Sequence, residues 1–190
     1  MTGSGRLRFT SGSRGATFEA GRALGRLLRP GDIVALDGDL GAGKTVLAAG
    51  IAAGIGCKGA VSSPTFVLAM DHPAGPGGMA MRHMDLYRLT GSRDYLDSGL
   101  DEMPDPGVSV VEWASVAGDA LPPVRIGVSM QFLDGDRRRI EMVFPPPDGA
   151  KRAGTMAGIL ETSPGILGVQ RMGPDEGPEE IHGPAERGDG

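Results

Sequence analysis

The chain has 190 residues and a formal net charge of −5, and glycine (33) and proline (15) make up about a quarter of it. This length allows one domain of ordinary size and excludes a large multidomain enzyme. The single cysteine, Cys57, excludes an intramolecular disulfide and a metal site built from several cysteines. No run of about 18 apolar residues occurs and the first residues lack the apolar stretch of a secretory signal, so we expect a cytoplasmic protein without a membrane span.

The N-terminal part alternates strand-like and helix-like runs. Residues 7–10 predict a short strand, and either Ser13 or Thr17 is expected to cap the helix that follows. Pro30-Gly31 ends that helix. Residues 33–36 are continuously apolar, which is typical of a strand covered on both faces in a parallel sheet.

A glycine-rich turn then opens a second helix at Lys44, with Gly54 or Gly56 near its end. Apolar and β-branched runs predict five further strands, at residues 66–70, 81–86, 108–111, 124–130 and 138–144. The last two are joined through Asp134-Gly135, which is a hairpin turn signal. Together these elements predict an α/β domain over residues 1–144, built on a mixed β-sheet flanked by helices.

Residues 145–190 differ in composition from the rest. They contain 7 prolines and 10 glycines in 46 residues, above the roughly 25 to 30% at which disorder is favoured. We therefore predict a disordered, acidic C-terminal tail. One weakly apolar patch, residues 156–160 followed by Ile166 and Leu167, is a candidate for a helix induced by a partner, but Gly158 and Pro164 interrupt it.

The most informative motif fits G-x-x-x-x-G-K-[ST] and lies between a predicted strand and a predicted helix. It consists of Gly38, Asp39, Leu40, Gly41, Ala42, Gly43, Lys44 and Thr45. Gly41 and Gly43 allow backbone angles that let successive N–H groups converge on phosphate oxygens, and the helix N-terminus adds roughly half a positive charge. Lys44 would place a point charge on the β- and γ-phosphates, and the Thr45 hydroxyl would ligate Mg²⁺. The sequence therefore predicts a P-loop NTPase.

Composition also bears on the nucleotide. The chain has only three lysines against sixteen arginines, so a lysine in the motif is informative. It contains no asparagine, so the N-K-x-D motif by which GTPases read guanine is absent. ATP is the predicted nucleotide.

Two carboxylates end predicted strands. Asp85 follows the apolar run before it, and Glu112 follows the run at 108–111. A nucleotide hydrolase needs a carboxylate near Mg²⁺ and a group that orients the attacking water. Strand-terminating acids also occur simply because they reach solvent, but both are predicted here as catalytic residues together with Lys44.

Three other features leave alternatives open. Ser63 and Thr65 lie one helix beyond the phosphate loop, where switch segments supply hydroxyls, but an ordinary Ser-Pro turn explains them equally. His83 shares a strand face with Asp85, so it is either a structural histidine or part of a metal or acid-base pair. Trp113, the single tryptophan, belongs either to the core or to a contact surface.

These residues resemble a known family, the bacterial tRNA threonylcarbamoyladenosine biosynthesis ATPases called TsaE, formerly YjeE. Four motifs in order carry the resemblance over residues 13–144: the phosphate loop, the residues 63–66, the residues 83–89 and Glu112-Trp113. Two departures are Ser62, where the family often has lysine, and Ala114, where it often has proline.

The resemblance implies a small P-loop ATPase that uses ATP and Mg²⁺. Its implied partners are TsaD and TsaB, which install threonylcarbamoyl on an adenosine of tRNA, so that contact with tRNA would be indirect. The implied Mg²⁺ ligands are Thr45 and Glu112, with Asp85 as the acid near the γ-phosphate. Ser63 and Thr65 would lie in the nucleotide-binding switch loop.

The resemblance also places Arg14, Thr17 and Arg137 near the nucleotide, and Tyr87 with Trp113 at a surface facing the partners or the nucleotide. Two other functions fit the phosphate loop itself. A small-molecule P-loop kinase would need an acceptor pocket and a lid, which Arg88 and Arg93 would supply with charge. A nucleotide-sensing module with negligible turnover would need neither.

Overall fold

The computed structural model describes residues 3–59, 61, 64, 67–100 and 107–173. Its strands are β1 (Gly5–Ser11), β2 (Ile33–Gly38), β3 (Ala69–His72), β4 (Ala80–Asp85), β5 (Gly107–Glu112), β6 (Ile126–Phe132), β7 (Arg138–Phe144) and β8 (Ile166–Met172). Its helices are α1 (Arg14–Gly25), α2 (Lys44–Ile55), α3 (Ser92–Asp97) and α4 (Gly149–Glu161), with short 3-10 helices at Ala114–Val116 and Gly118–Ala120. All eight strands form one sheet in the order β3-β4-β5-β2-β6-β7-β1-β8.

The sheet is mixed, as predicted. Strand β2 is parallel to both β5 and β6, and β4 is parallel to β5, whereas the outer pairs are antiparallel. Strand β5 lies between β2 and β4. The carboxyl ends of these three strands therefore meet at one edge of the sheet, where open α/β sheets bind ligands.

The first four residues of β2, 33–36, are apolar and buried because helices cover both faces of the strand. Val34 and Leu36 belong to the main core, which the sheet forms with α1, α2 and α4. Ile33 and Ala35 belong to a second core, formed with α3 and the 3-10 helices. Within the described part of the chain, residues of β6, β7, β1 and β8 contribute to the first core alone.

Helices α1 and α2 pack closely because glycines face each other. A Cβ at Gly21 would overlap the carbonyl oxygen of Leu47, and a Cβ at Gly50 would overlap that of Phe18. Ser13, one of the two predicted caps, begins α1 by accepting a hydrogen bond from the backbone N–H of Ala16 (3.1 Å). This packing holds α2, and with it the phosphate loop, firmly against the body of the domain.

Two strands begin later than predicted. The strand predicted at 66–70 begins at Ala69. The hairpin strand predicted from residue 124 begins at Ile126, three residues after the pair Pro122-Pro123 ends. Proline cannot donate to a sheet ladder, which delays the second strand. The hairpin itself is confirmed, since β6 and β7 pair antiparallel from Phe132 and Arg138 outward.

The structure corrects where the C-terminal tail begins. Residues 145–173, predicted to be disordered, contain α4 and β8, and only residues 174–190 of the predicted tail lie outside the described residues. The composition of the whole segment predicted disorder, but composition does not report the spacing of the apolar residues on which helix α4 depends. Its buried side chains recur at helical intervals, at Ala153, Met156, Ala157 and Leu160.

Helix α4 is also tied to the body by charge. The Arg152 guanidinium donates to the Asp32 carboxylate at 2.6 Å and to the backbone oxygen of Leu27 at 3.1 Å. Gly158, which was expected to break the helix, lies in open space on its outer side. The folded domain therefore extends at least to Met172 and not to residue 144.

Candidate functional site: the phosphate loop and two strand-terminal acids

The loop between β2 and α2 has the backbone that the glycines predict. Gly41 and Gly43 adopt left-handed conformations, with φ of 80° and 99°, which side chains with a Cβ rarely adopt. Gly43 begins α2 without any side-chain cap bond. The N–H groups of the first turn of α2 are therefore directed at the loop, where they favour an anion.

Lys44 lies at the centre of the loop. Its ammonium donates hydrogen bonds to the backbone oxygens of Gly38 (2.7 Å) and Asp39 (2.9 Å), and it lies 3.8 Å from the centroid of the Trp113 ring. The residue is only 4% exposed. Burial lowers the pKa of Lys44, and the nearby carboxylates, Glu112 foremost, oppose that shift.

A chain of hydrogen bonds connects the loop to the neighbouring strands. The Thr45 hydroxyl donates to Oε2 of Glu112 at 3.1 Å, and Oε1 of Glu112 lies 2.8 Å from Nε2 of His83. Glu112 and Asp85 are directly paired in the register of β4 and β5. The Asp85 carboxylate accepts a hydrogen bond from the backbone N–H of Tyr87 at 3.1 Å.

One cavity of about 390 Å³ brings the predicted catalytic residues together. Its lining residues are Leu40, Gly41, Gly43, Lys44, Thr45, Val46, Asp85, Tyr87, Glu112 and Trp113. Leu40 forms the exposed tip of the loop. Asp85 and Glu112 are both buried, at 3% exposure each, and both line this cavity, so the alternative that they end their strands because they reach solvent does not hold.

Trp113, predicted to belong either to the core or to a contact surface, lies between the two. The residue is half-buried and stands 5.0 Å from the Tyr87 ring, at the mouth of the cavity. Its φ of 58° is left-handed. This conformation is unfavourable for an aromatic residue, and residues that adopt such conformations cluster at functional sites. Ser63 and Thr65, the predicted switch residues, lie outside the described residues.

A second cavity of about 200 Å³ adjoins the loop on its other side. It is lined by Arg14, Thr17, Gly41, Gly43, Val46 and Arg138, and a larger cavity of about 690 Å³ continues from it along α1 and α2. Arg14 and Thr17, which were expected near the nucleotide, line this cavity. Arg137, which was also expected there, is exposed in the hairpin turn and paired with Asp134, and the neighbouring Arg138 lines the cavity.

The donor atoms fit a hard divalent cation. Within the described ranges no group of three or more His, Cys, Asp or Glu side chains forms a ready metal site. The hydroxyl of Thr45 and the carboxylate of Glu112 nevertheless place two oxygen donors side by side at the phosphate loop. Mg²⁺ in nucleotide sites is usually held by one or two protein oxygens, with phosphates and water completing its shell.

Comparison with known proteins is consistent across sequence and structure. The family model described as "Threonylcarbamoyl adenosine biosynthesis protein TsaE" matches residues 11–140. The protein named "tRNA threonylcarbamoyladenosine biosynthesis protein TsaE" from Streptomyces coelicolor is 44% identical over 119 residues, covering 62% of this chain and 80% of that protein. Its namesake from Treponema pallidum is 39% identical over 134 residues, covering 69% of this chain and 96% of that protein.

A solved structure is similar as well. The crystal structure of YdiB from Bacillus subtilis superposes with a TM-score of 0.65 at 26% identity, covering 84% of this chain and 97% of that one. Among the helices described, none has the length and apolar character required to cross a membrane.

Proposed function

The chain belongs to the TsaE family of threonylcarbamoyl adenosine biosynthesis proteins, and we propose that it is a P-loop ATPase that couples ATP binding and hydrolysis to the TsaD–TsaB pair in that tRNA modification. One observation supports the ATPase assignment above the others. Lys44, Thr45, Asp85 and Glu112, which come from three separate elements, line the same cavity at the carboxyl edge of the sheet.

The phosphates of ATP would bind at the N-terminus of α2. Lys44 now donates to two neutral carbonyl oxygens. Phosphate oxygens carry negative charge, so they attract the ammonium more strongly than neutral carbonyl oxygens do. The ammonium would therefore turn from Gly38 and Asp39 toward the β- and γ-phosphates with little movement of the backbone.

Thr45 and Glu112 would hold Mg²⁺, which, when bound, neutralises charge that develops on the phosphates. Their hydrogen bond already brings the two donor groups together. Asp85 is then the group that orients the attacking water, since it faces the same cavity from the next strand. This division of roles assigns one carboxylate to the metal and the other to the nucleophile.

The nucleoside would occupy the cavity on the other side of the loop. That cavity shares Gly41 and Gly43 with the phosphate site and is rimmed by Arg14 and Arg138. A planar guanidinium can stack on a base, and the apolar side chains along α2 would exclude water from that base. ATP would thus pass over the loop, with its phosphates on one side and its base on the other.

Turnover by the isolated chain is expected to be slow. In the described part of the structure, the cavity around Lys44 has no arginine in its lining. In many NTPases an arginine supplied by a partner raises kcat by about 10³ to 10⁵. TsaD and TsaB would complete the site and so make hydrolysis depend on the assembled complex.

The decisive experiment is ATP hydrolysis by the purified chain, alone and with the TsaD–TsaB pair. Strong stimulation by the pair is expected. If the chain binds ATP but the pair leaves its turnover unchanged, the coupling to tRNA modification is wrong. A screen of labelled small-molecule acceptors would then test the kinase alternative directly.

A further inference from the structure

We propose that His83 is a positioning residue that holds the Glu112 carboxylate in place for Mg²⁺, and so controls how strongly the site uses the metal. The inference rests on the proposed function, since it needs Glu112 to face Mg²⁺. It concerns a histidine that the phosphate loop, the acids and the nucleotide cavity do not require.

The geometry separates the two oxygens of Glu112 between two partners. Oε1 lies 2.8 Å from Nε2 of His83, and Oε2 accepts from the Thr45 hydroxyl at 3.1 Å. His83 is 0% exposed and Glu112 3% exposed, so water does not compete for the contact between them. With Oε1 occupied by the histidine, only Oε2 is directed at the phosphate loop.

The hydrogen-bond pattern indicates which ring nitrogen carries the proton. An ionised carboxylate only accepts, so Nε2 must donate to Oε1. Nδ1 of His83 is buried and has no hydrogen-bond partner among the described residues. Donation from Nε2 fits this environment, because a proton at Nδ1 instead would leave a buried donor without an acceptor and Oε1 without a donor.

Packing by itself does not explain a histidine at this position. Among the neighbours of His83 on the same face of the sheet, Met81 two residues before it on β4 and Val110 opposite it on β5 are apolar, and Asp85 follows two residues after it. An aliphatic side chain would pack there without the cost of burying a polar ring. The specific contact that His83 adds is the hydrogen bond to Glu112.

The expected consequence follows from the freedom of the glutamate side chain. Without the donor at Oε1, the Glu112 carboxylate can rotate and lose its alignment with Thr45. Residues that orient metal ligands in this way typically change metal affinity or activity by about 10- to 100-fold when they are removed. Binding of the nucleotide through Lys44 and the backbone N–H groups does not involve His83.

His72 provides a matched control. It is also a buried histidine, it lies on the adjacent strand β3, and its ring centroid is 6.2 Å from that of His83. It does not contact Glu112; its buried Nε2 is without a hydrogen-bond partner in the described ranges. Substituting it disturbs the same region of the core and leaves the Glu112 carboxylate with both of its partners.

The first test measures metal use by calorimetric titration of ATP in the presence and absence of Mg²⁺, with His83→Leu, His83→Gln and His72→Leu. We expect His83→Leu to raise the half-saturating Mg²⁺ concentration by about 10- to 100-fold while ATP affinity in chelator stays unchanged. His83→Gln should retain most of the wild-type response, because its amide nitrogen is the same number of bonds from Cβ as Nε2. Wild-type Mg²⁺ dependence in His83→Leu, or an equal shift in His72→Leu, would overturn the proposal.

Steady-state kinetics at saturating Mg²⁺ give a second readout. The loss of His83 should lower kcat and leave KM for ATP near its wild-type value, whereas a general loosening of the fold would change both. Thermal melts of all three variants report on folding. If wild-type protein itself shows no Mg²⁺-dependent binding of ATP, the proposed function fails, and the hydrogen bond must be tested without nucleotide.

That test is direct, because the chain has only three histidines. In protein labelled with ¹⁵N at histidine, the imidazole signals of His83 are identified by their loss in His83→Gln. We expect them to show protonation at Nε2 and to move in Glu112→Gln but not in Asp85→Asn. Protonation at Nδ1, or His83 signals that do not move in Glu112→Gln, would show that His83 does not hold the carboxylate.

Discussion

Buried polar side chains are arranged differently in the two halves of the sheet. In the half formed by β4, β5 and β2, three buried charged side chains, Lys44, Asp85 and Glu112, line one cavity. In the half formed by β7, β1 and β8, buried polar side chains pair within the structure, as Ser11 does with Thr17 at 2.8 Å. The first arrangement keeps strong hydrogen-bonding groups available for a ligand, and the second satisfies them permanently.

The difference follows from strand direction. Parallel strands end at a common edge, so side chains from several strands can meet there, and helices on both faces exclude water from the meeting point. In the antiparallel half neighbouring strands end at opposite edges, and ion pairs such as Arg8–Glu141, at 2.6 Å, run across the strands. We therefore expect changes in the first half to affect activity and changes in the second to affect stability.

Truncation after Phe144 should have the largest effect. It removes α4 and β8, including the fully buried Met156 and Leu160, and each large core side chain contributes about 2 to 5 kcal/mol. The loss is comparable to the whole stability of a domain, so we expect no cooperative melt. A chain ending at Gly173 retains every described contact and should melt like the full-length protein. A cooperative melt of the shorter chain would show that the second half is complete without α4 and β8.

Lys44→Ala should abolish activity and leave the fold intact. Removing the charge that faces the transferred phosphates is expected to lower turnover by at least about 100-fold and to weaken ATP binding. Lys58→Ala is the control, since it removes an exposed lysine just beyond α2. Equal ATP affinity and turnover in Lys44→Ala and Lys58→Ala would contradict the assignment of the phosphate loop.

Glu112→Gln and Asp85→Asn should separate binding from catalysis. Each keeps the size of its side chain and removes the charge, so we expect ATP to bind while turnover falls by about 100-fold or more. Asp97→Asn, at an exposed position in α3, controls for the loss of an acid elsewhere. Full turnover in both cavity variants would show that neither carboxylate is catalytic, and would contradict the expectation that changes in the parallel half affect activity.

Arg152→Ala tests the second half by stability. It breaks the ion pair with Asp32, in which both side chains are largely buried, and a change of this kind costs about 3 kcal/mol. Arg29→Ala breaks the exposed pair with Asp148 and should cost less than about 1 kcal/mol. Urea unfolding of both variants measures the difference, and equal midpoints would show that α4 is not held by Arg152.

The smallest expected effect is a pH dependence caused by His72. Burial, with a smaller contribution from His83, lowers the pKa of His72 below its ordinary value of 6.5, while Asp71 opposes the shift. As pH falls below 6.5, the unfolded chain therefore binds a proton that the folded chain does not, and stability decreases. Between pH 6.5 and 5.5 the loss is at most about 1.4 kcal/mol. His72→Gln should show a smaller loss over this range in urea unfolding, and an identical loss would assign the pH dependence to other groups.

Local patterns were sufficient for much of the site. The glycines of the loop allow the left-handed angles that the structure shows, and the apolar residues 33–36 correctly indicated a strand covered on both faces. Asp85 and Glu112 were identified as strand ends, and the topology brought them together because their strands are parallel neighbours. The prediction succeeded where the signal lay within one element.

It failed where the signal lay between elements. Arg137 and Arg138 are equivalent in sequence, and only the hairpin geometry places Arg138 at the cavity. The alternatives for His83 stayed open because the contact that distinguishes it, with Glu112, joins residues 29 apart on two strands. Helix α4 was missed because the glycine and proline content of the segment around it concealed a regular apolar spacing, and the helix is stabilised by packing against β1 and by Arg152.

The sequence by itself determined the family, the phosphate loop and the alternation of strands and helices, because these depend on residues close together in the chain and on backbone preferences that no neighbour can change. The tertiary structure decided which nitrogen faces which carboxylate, which arginine lines the cavity beside the phosphate loop and where the described elements of the domain end. Those properties depend on strand register and on packing across the sheet, and a shift of one residue in register turns a side chain to the opposite face.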